Sequence, residues 1–515
     1  MNIFDSVKMA AIPQSRFDLS HDVKMSFNMG ELVPTCCIEA LPGDKFDLSV
    51  ENMLRFAPLI APVMHKVNVT THYFFVPNRL LWPDWGKWIT GELEVEAPYV
   101  RLDPGHQYGT GSLQDYLGYP TDAPVVNTRI SPMPIAAYYL IYDEYYRDQN
   151  LIGSVFNPLV AGLNAVYEGE FECKQRAWMH DYFTSALPFS QKGAAVQIPL
   201  VDQGTIPVIP NPDDNSLPPV KVITQPDGGN PSTGTIQNTA SDTLADAGAG
   251  PINFDFQGNQ VVDIQSDATD INTLRRAFRL QEWLEKNARG GTRYVESILS
   301  HFGIKSSDAR LQRPEYIGGS KQNMIISEVL ATAQSDNNPA DATIPVGNMA
   351  GHGISVGGGN HFSYRCEEHG YIIGIINVQP MTAYQQGLHR SLTRFNRLDF
   401  AWPTFANLGE QPVLAKELYY PTALPERTFG YVPRYAEYKY MNSRVAADFK
   451  GSLSFWHLGR IFDTEPELNE EFINCVPDTR IFAVQGADIT DHIYSHIFNR
   501  ISVRRKLPRY GIPSI

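Results

Sequence analysis

Charged side chains are scarce in this chain, making up 19% of its 515 residues, whereas an average globular domain carries about 25%. The formal net charge is −14, so the chain as a whole lacks the basic excess of a nucleic-acid-binding protein. Aromatic residues, by contrast, reach 11%, and there are 37 prolines and 39 glycines. This composition indicates many turns, short strands and a large area of buried or interfacial surface.

Long apolar runs are also absent. The longest, Tyr371 to Val378, is far shorter than the roughly 20 residues that a membrane-spanning helix needs. The N-terminal sequence MNIFDSVKMAAIPQSRFD carries charges where a signal peptide has its apolar core. We therefore expect a protein that is made in a cytoplasm and is not inserted in a membrane.

The cysteines lack the spacing of a disulfide framework or a CxxC motif. Cys36 and Cys37 are adjacent, and the other three, Cys173, Cys366 and Cys475, stand alone. An odd number without framework spacing favours free thiols in a reducing compartment. This again indicates assembly inside a cell.

Signals for catalysis or metal binding are weak. His352, His361, Cys366 and His369 lie close in sequence, but their spacing matches no common zinc pattern. The glycines 357–359 are not followed by the GK[ST] of a phosphate-binding loop, and no GxSxG motif occurs. We therefore predict no catalytic residue, no metal site and no cofactor.

Strands are predicted at four places. The alternation of apolar residues in 67–75 is typical of a strand, which should end at Pro77 because proline has no N–H for a sheet ladder. Residues 46–50 alternate in the same way, and Tyr371 to Val378 has the composition of a fully buried strand. Ser452 to His457 reads as a fourth strand.

Three helices are predicted between these strands, and the last of them begins near Thr292 and stops at Gly303. Residues 135–149 are apolar or tyrosine around most of the helix circumference, which is typical of a helix that is buried or lies in an interface. A second helix can be capped by Asp270 or Asn272 and should end at Gly290 and Gly291.

Three tryptophans follow the strand at 67–75 within a loop interrupted by Pro77 and Pro83. A loop rarely buries so much aromatic surface by itself, and aromatic residues are enriched in the cores of protein interfaces. We therefore expect these residues, together with two further aromatics, to anchor subunit interfaces or the core. The interface candidates are Trp82, Trp85, Trp88, Trp402 and Tyr435.

Glutamate is absent from residues 201–270, although this segment holds ten aspartates. With Lys221 as its only cation, the segment carries 1 − 10 = −9, which leaves −5 for the rest of the chain. Abundant proline, glycine, serine and threonine are compatible with a disordered linker. Apolar pieces such as 220–223 favour instead a surface insertion with a small β-fold. We therefore divide the chain into 1–200, 201–270 and 271–515.

The acidic insertion has several possible roles. Protruding loops often bind partners, so we favour a host-receptor site. A variable, solubilising surface without a fixed ligand is the alternative. Aspartates can also bind calcium, although no EF-hand pattern is present. The candidate residues are Asp213, Asp214, Asp227, Asp242 and Asp246.

Two basic stretches contrast with this acidic segment. Residues 493–515 contain five cations and no acid, and a second group surrounds Phe395. Both can neutralise phosphates, and Phe395 can stack on a base. The alternative is a solvated strand edge or pairing with acids of a neighbouring chain. The candidates for contact with DNA are Arg500, Arg504, Arg505, Lys506, Arg509, Arg390, Arg394 and Arg397.

Four long blocks of the sequence carry a specific resemblance. They are THYFFVPNRLLWPDW (71–85), ARGGTRYVESILSHFGIKSSDARLQRPEYIGGSK (288–321), LHRSLTRFNRLDFAWPTFANLGEQ (388–411) and TFGYVPRYAEYKYMNSRVAADFKG (428–451). In these blocks and in their order, the chain resembles the major capsid protein of gokushovirus-type Microviridae, which are small single-stranded DNA bacteriophages. Residues 201–270 lie where these proteins carry a large variable insertion.

The resemblance implies a mainly all-β fold, an eight-stranded antiparallel jelly roll with very long loop insertions and a few short helices. It also implies an icosahedral homo-oligomer of about 60 copies, with the insertion as a protrusion at the threefold axes. The implied partners are the single-stranded DNA genome, a small basic DNA-binding protein, a scaffolding protein and a pilot protein of the same phage, and a host cell-surface receptor. The implied location is the virion, assembled in the bacterial host cytoplasm.

Two other classes of protein stay open on the residues alone. A secreted β-sandwich lectin or adhesin fits the strands and loops, but the absence of a signal peptide and the free thiols count against it. A β-fold enzyme lacks any ligand set or nucleophile signature. We therefore expect a structural coat protein rather than an enzyme.

Overall fold

The structure is a computed structural model. It describes residues 14–102, 108–121, 127–169, 171–193, 271–291, 312–330, 349–484 and 490–510, short strand segments between 209 and 261, and the isolated residues 296, 299, 300, 332 and 347. The chain divides into two compact units, one formed by 1–193 and 284–515 and the other by 194–283. The site described below lies in the first unit.

Two antiparallel sheets form the centre of the first unit. Their strands, in chain order, are β1 (Ser15–Asp18), β2 (His21–Phe27), β3 (Val33–Ala40), β4 (Lys45–Phe56), β5 (Val67–Pro77), β6 (Glu315–Asn323), β7 (Ile325–Leu330), β8 (Met349–Arg365), β9 (Gly370–Pro380) and β10 (Ile493–Arg505). The first sheet has the order β1–β10–β4–β8–β7, and β2 also pairs with β10. The second has the order β6–β5–β9–β3.

The strand order is that of a jelly roll. β1 and β2 pair with successive stretches of β10, so together they act as one interrupted edge strand. Each sheet therefore has four principal strands, with β7 added at the edge of the first. From β2 to β5, and again from β8 to β10, consecutive strands alternate between the two sheets. The protein is thus mainly β, with a jelly-roll core of eight principal strands.

Side chains at alternate strand positions fill the space between the sheets. Phe46, Leu48 and Val50 of β4 are buried, as the alternation predicted. The Tyr73 hydroxyl of β5 donates a hydrogen bond to Asn499 Oδ1 of β10 over 2.8 Å. This bond satisfies both polar groups in an otherwise apolar core, which avoids the cost of burying an unpaired hydroxyl.

The helices are mostly short. In chain order they are α1 (Asn78–Leu81), α2 (Trp85–Ile89), α3 (Leu113–Leu117), α4 (Met133–Ile141), α5 (Ile271–Arg289), α6 (Ala415–Leu418), α7 (Ala436–Lys439) and α8 (Glu470–Ile473). A π-helical turn, Tyr142–Tyr146, continues α4. Short 3₁₀ helices are Ala165–Tyr167, Arg390–Thr393, Arg397–Asp399, Pro403–Phe405, Ala447–Lys450 and Ser454–Trp456. Within the described residues, no helix is both long enough and apolar enough to cross a membrane.

Short antiparallel pairings complete the description. In the first unit, Val100–Leu102 pairs with Thr128–Ile130, and Glu410–Leu414 pairs with Thr428–Pro433. In the second unit the paired segments are Ile209–Pro210 with Gln260–Val261, Val222–Thr224 with Ser232–Thr233 and Ile252–Phe254, and Gln237–Asn238 with Leu244–Ala245. The division at 201–270 stays a prediction.

The sequence-based elements are confirmed in three strands and two helices, and one strand is wrong. The helix predicted from Thr292 to Gly303 lies mostly outside the described residues. β5 ends at Pro77, and helix α5 ends at Arg289, directly before Gly290. Ser452 to His457, however, forms no strand. Its central residues Ser454–Trp456 form a 3₁₀ turn, because the backbone N–H groups of Ser454 and Trp456 bond locally to Gly451 and Leu453.

Candidate assembly and nucleic-acid surfaces

The three tryptophans after β5 pack on one another and on their own chain. Trp82 is fully buried, and Trp85 and Trp88 are half-buried against the main core. Their ring centroids lie 5.4 to 6.4 Å apart, and the Trp88 indole N–H donates to the Val95 carbonyl over 3.0 Å. Trp82 is therefore a core anchor, one of the two roles expected from the sequence, because helices α1 and α2 fold this segment back onto the chain and leave Trp82 no accessible surface. A subunit contact stays a prediction for Trp85 and Trp88.

Exposed apolar side chains are concentrated instead in the loops after β9. Trp402 is 49% exposed and Phe395 is 86% exposed. We define the apolar platform as Phe395, Leu398, Phe400, Trp402 and Tyr438, all of which are classed as exposed. Large exposed apolar patches on soluble monomers usually mark interaction sites.

A buried ion pair holds the platform in place. The Arg394 guanidinium lies 3.1 Å from Glu437 Oε1, and both side chains are at most 10% exposed. The same guanidinium lies 4.2 Å from the ring centroid of Tyr438 and 5.8 Å from that of Phe400. Arg394, held by Glu437, therefore packs against the rings of Tyr438 and Phe400 and fixes their position.

Tyr435 forms the base of the platform. It is 7% exposed and has a φ of 60°, a left-handed conformation that costs a non-glycine residue about 1 kcal/mol or more. Its N–H donates to Gln411 Oε1 over 3.0 Å, and Gln411 Nε2 donates to Glu437 Oε2 over 2.6 Å. In the single chain the side chain of Tyr435 is covered by its own chain, and its expected place at a subunit interface stays a prediction.

A second buried pair supports the neighbouring turn. Arg390 lies 3.4 Å from Glu417 Oε1, and Tyr182 donates its hydroxyl to Glu417 Oε2 over 2.9 Å. Burial raises the pKa of Glu417, while the Leu414 N–H and the Arg390 guanidinium oppose that rise. Arg390 is therefore a structural partner of a buried carboxyl group.

Three of the arginines predicted to contact DNA form ion pairs within the chain. Arg390 and Arg394 pair with Glu417 and Glu437, as described above. Arg505 lies 2.8 Å from the buried carboxylate of Asp44. For these three arginines the ion pairs count against a contact with DNA, because a guanidinium that neutralises a buried carboxylate cannot turn to a phosphate without leaving that charge unpaired. Their predicted DNA contact is not tested and stays a prediction.

The other predicted DNA contacts lie at the surface. Arg500 and Arg504 point outward from β10, because Ile501 and Val503 occupy the inward positions. Arg500 forms an exposed ion pair with Glu51 at 3.0 Å, which contributes little to stability. The remaining exposed candidates are Arg397, Lys506 and Arg509, and all five stay predictions.

Sequence reasoning missed three cations that the strand register places beside Arg504. Arg16 of β1 and Lys45 of β4 are its register partners, and Arg365 of β8 is the partner of Lys45. Directly opposed residues share one face of a sheet, and all four side chains are exposed. We call these four residues the basic row. Only knowledge of the strand pairing could have revealed it.

The histidine and cysteine residues of 352–369 lie close together in the sequence but not as a group in space. Among the described residues, no group of three or more His, Cys, Asp or Glu side chains could hold a metal ion. His352, His361, Cys366 and His369 are not brought together as a ligand set; the His369 ring instead packs 5.7 Å from Trp85. Cys366 is a buried free thiol, and burial raises its pKa to about 12.

The predicted receptor residues lie outside the described residues. They are Asp213, Asp214, Asp227, Asp242 and Asp246. Their role stays a prediction.

Comparison with known proteins agrees with the fold along the whole chain. A family model described as "Capsid protein (F protein)" matches residues 5–515. Capsid protein VP1 of Bdellovibrio phage phiMH2K is 35% identical over 99% of this chain and 97% of its own length. Capsid protein VP1 of Chlamydia phage 1 is 36% identical over 100% and 98%, and that of Spiroplasma virus 4 is 28% identical over 99% and 97%. The chain therefore belongs to the F-type capsid protein family of the Microviridae, is a structural virion component and is not an enzyme.

Proposed function

We propose that this capsid protein assembles with copies of itself into a closed icosahedral shell that packages single-stranded DNA. The observation that carries the proposal is the apolar platform, whose side chains project from a support made of buried ion pairs. Rigid aromatic anchors on a preorganised support are what an interface core needs. A second copy of this chain is the most abundant partner available to cover the platform during coat assembly.

The platform leaves large apolar side chains exposed to solvent when the chain is a monomer. Phe395, Leu398 and Phe400 are 86, 66 and 51% exposed in the single chain. Covering one such side chain contributes roughly 1.5–3 kcal/mol, and symmetric assembly repeats the contact in every copy. Burial of this apolar surface therefore favours association of the chain. This supports self-assembly over the alternative of a monomeric lectin or adhesin.

The shell is proposed to form in the bacterial cytoplasm with the help of other proteins of the same phage. The free cysteines are compatible with a reducing compartment. The net charge of −14 leaves most of the genome charge to be neutralised elsewhere. A small basic DNA-binding protein fits that need, and a scaffolding protein and a pilot protein complete the proposed set of partners.

The acidic insertion is proposed to contact the host cell surface. Ten aspartates and a single lysine in 201–270 give this segment −9 of the total charge. Such a dense negative field suits a positively charged receptor surface and is unsuited to contact with DNA. A protrusion near the threefold axes of the shell would present it outward.

Electron microscopy of the sedimentable fraction tests this proposal. The chain is produced in cells together with the neighbouring genes of its phage, and the parent is compared with a variant that lacks residues 201–270. We expect closed icosahedral particles from both, with threefold protrusions present only in the parent, and host adsorption lost only in the deletion variant.

Two results would contradict the proposal. Soluble monomers or small oligomers from a well-expressed set of all components would argue against a self-assembling coat. Normal adsorption by particles that lack residues 201–270 would remove host attachment from the proposal and leave the coat function intact.

A further inference from the structure

The basic row is unfavourable for the isolated chain. Adjacent strands lie about 4.8 Å apart, so the side chains of Arg16, Arg504, Lys45 and Arg365 succeed one another as like charges across four strands. Like charges directly opposite each other destabilise a sheet. The repulsion between these side chains is therefore expected to be offset by a negatively charged group.

Carboxylates compensate the row only in part, because the pKa of Asp18 is lowered by the hydrogen bonds from Ser20 and, less strongly, by the charge of Arg16. Within the described residues, no carboxylate oxygen lies within the 4.0 Å ion-pair distance of any side chain in the basic row. Asp18 and Asp47 occupy the next row on the same face, each opposite Ser502. Asp18 already accepts hydrogen bonds from the N–H and the hydroxyl of Ser20.

The contrast with other arginines of the chain is informative. Arg390, Arg394 and Arg505 each have a buried carboxylate partner, so their role is internal. In the basic row, the charge instead continues past the end of β10 with the exposed Lys506. Positive charge therefore accumulates at this end of the first sheet, where Arg504, Lys45 and Arg365 have no carboxylate within ion-pair distance among the described residues.

We propose that the basic row, continued by Lys506, binds the phosphate backbone of the single-stranded DNA inside the shell. This inference rests on the proposed function. The row extends over about 15 Å, or three strand spacings, and can therefore contact several phosphates of one strand. A polyanion along the row relieves the repulsion between its members, and the contact is blind to base sequence.

Salt-dependent binding tests this inference on the purified full-length chain. The probe is a fluorescently labelled oligothymidylate, and its dissociation constant is measured over a series of NaCl concentrations. We expect Arg365→Gln and Lys45→Gln each to weaken binding about fivefold at low salt and to reduce the salt slope by about 0.7, the value for one single-strand phosphate contact. Lys45→Arg should keep both the affinity and the slope.

Lys24→Gln is the matched control, because Lys24 is an exposed strand lysine of the same sheet with 74% of its side chain accessible. It should leave the salt slope unchanged. The variants of the basic row should also have unchanged or slightly higher melting temperatures, because each removes a like-charge contact. A purely structural role for these residues predicts the opposite shift.

Equal losses of affinity in Lys24→Gln and Arg365→Gln would overturn the inference, since binding would then follow net charge alone. Unchanged affinity and slope in both Arg365→Gln and Lys45→Gln would overturn it as well. The proposed function is judged separately by shell formation in cells. A parent chain that forms shells but does not bind the probe refutes the basic row as a DNA site and leaves the coat function standing.

Discussion

The jelly-roll core and the apolar platform use the same kinds of residue in opposite ways. In the core, Trp82 and Tyr73 are covered by their own chain, whereas on the platform Phe395 and Trp402 remain accessible. The core is held by apolar contact across two sheets. The platform is held from beneath by the buried pair of Arg394 and Glu437. The difference teaches that this chain places polar groups inside in order to hold apolar groups outside, as an assembling subunit requires.

The largest expected effect on stability is in the core. Trp82→Ala should lower the free energy of unfolding by about 4 kcal/mol, since it removes a fully buried indole and leaves a cavity. Urea unfolding of the full-length chain measures this loss. Trp402→Ala is the matched control and should cost less than about 1 kcal/mol, because half of that side chain is already exposed. Equal losses at both sites would abolish the distinction between core and platform.

Breaking the support of the platform should have the next largest effect. Glu437→Gln leaves the guanidinium of Arg394 buried without its counter-charge and should lower the free energy of unfolding by about 3 kcal/mol. Glu426→Gln is the control, because Glu426 is 71% exposed in its pair with Lys416. A change below 0.5 kcal/mol in both variants, read from urea unfolding curves, would show that the platform needs no such support.

Acidification should destabilise the region of the sandwich around His72. Burial, with a smaller contribution from Arg176, lowers the pKa of His72 from its usual value of 6.5 to about 4. The unfolded chain therefore binds a proton more readily than the folded chain between these two values. The free energy of unfolding should fall by roughly 3 kcal/mol as the pH drops from 7 to 4 through this group alone.

His72→Gln separates this contribution from the others. Burial also lowers the pKa of His65 and His457, so the parent should lose more stability on acidification than His72 alone explains. The variant should show a shallower dependence on pH in unfolding curves measured between pH 4 and pH 7. An identical dependence in parent and variant would contradict the assignment to His72.

The smallest effect on stability, with the largest effect on assembly, is expected on the platform. Phe395→Ser should change the free energy of unfolding by less than about 0.5 kcal/mol, because the ring is 86% exposed. The yield of closed shells should nevertheless fall about tenfold or more, since the loss of one anchor of about 1.4 kcal/mol already gives a factor of ten. Sedimentation of cell extracts measures the yield. Val166→Ser, at 63% exposure, is the control and should assemble normally.

The strands of the core could be read from the sequence because their signal is local. The period-two alternation in 46–50 and 67–75 requires no knowledge of the partner strand, and both segments form buried strands. The 3₁₀ turn at Ser454–Trp456 was misread because a short aromatic run carries no period. Residue type alone also failed to separate Trp82, which is buried, from Trp402, which is exposed.

The surfaces were less accessible to sequence reasoning because they depend on distant pairings. Arg394 looked like a free cation until the fold placed Glu437 beside it. Arg16 and Arg365 are far apart in the sequence, and only the register of β10 and β4 places them in one row. Clusters of basic residues in the sequence therefore suggested a free charge at Arg394, which is paired, and did not indicate the basic row.

The central claim is that the apolar platform is covered by a second copy of this chain in the assembled shell. Electron cryomicroscopy of particles from cells that produce the complete set of phage proteins tests it most directly. The account predicts that the side chains of Phe395, Leu398 and Trp402 are buried against a neighbouring copy around a symmetry axis. Closed shells in which these three side chains still face solvent would contradict it.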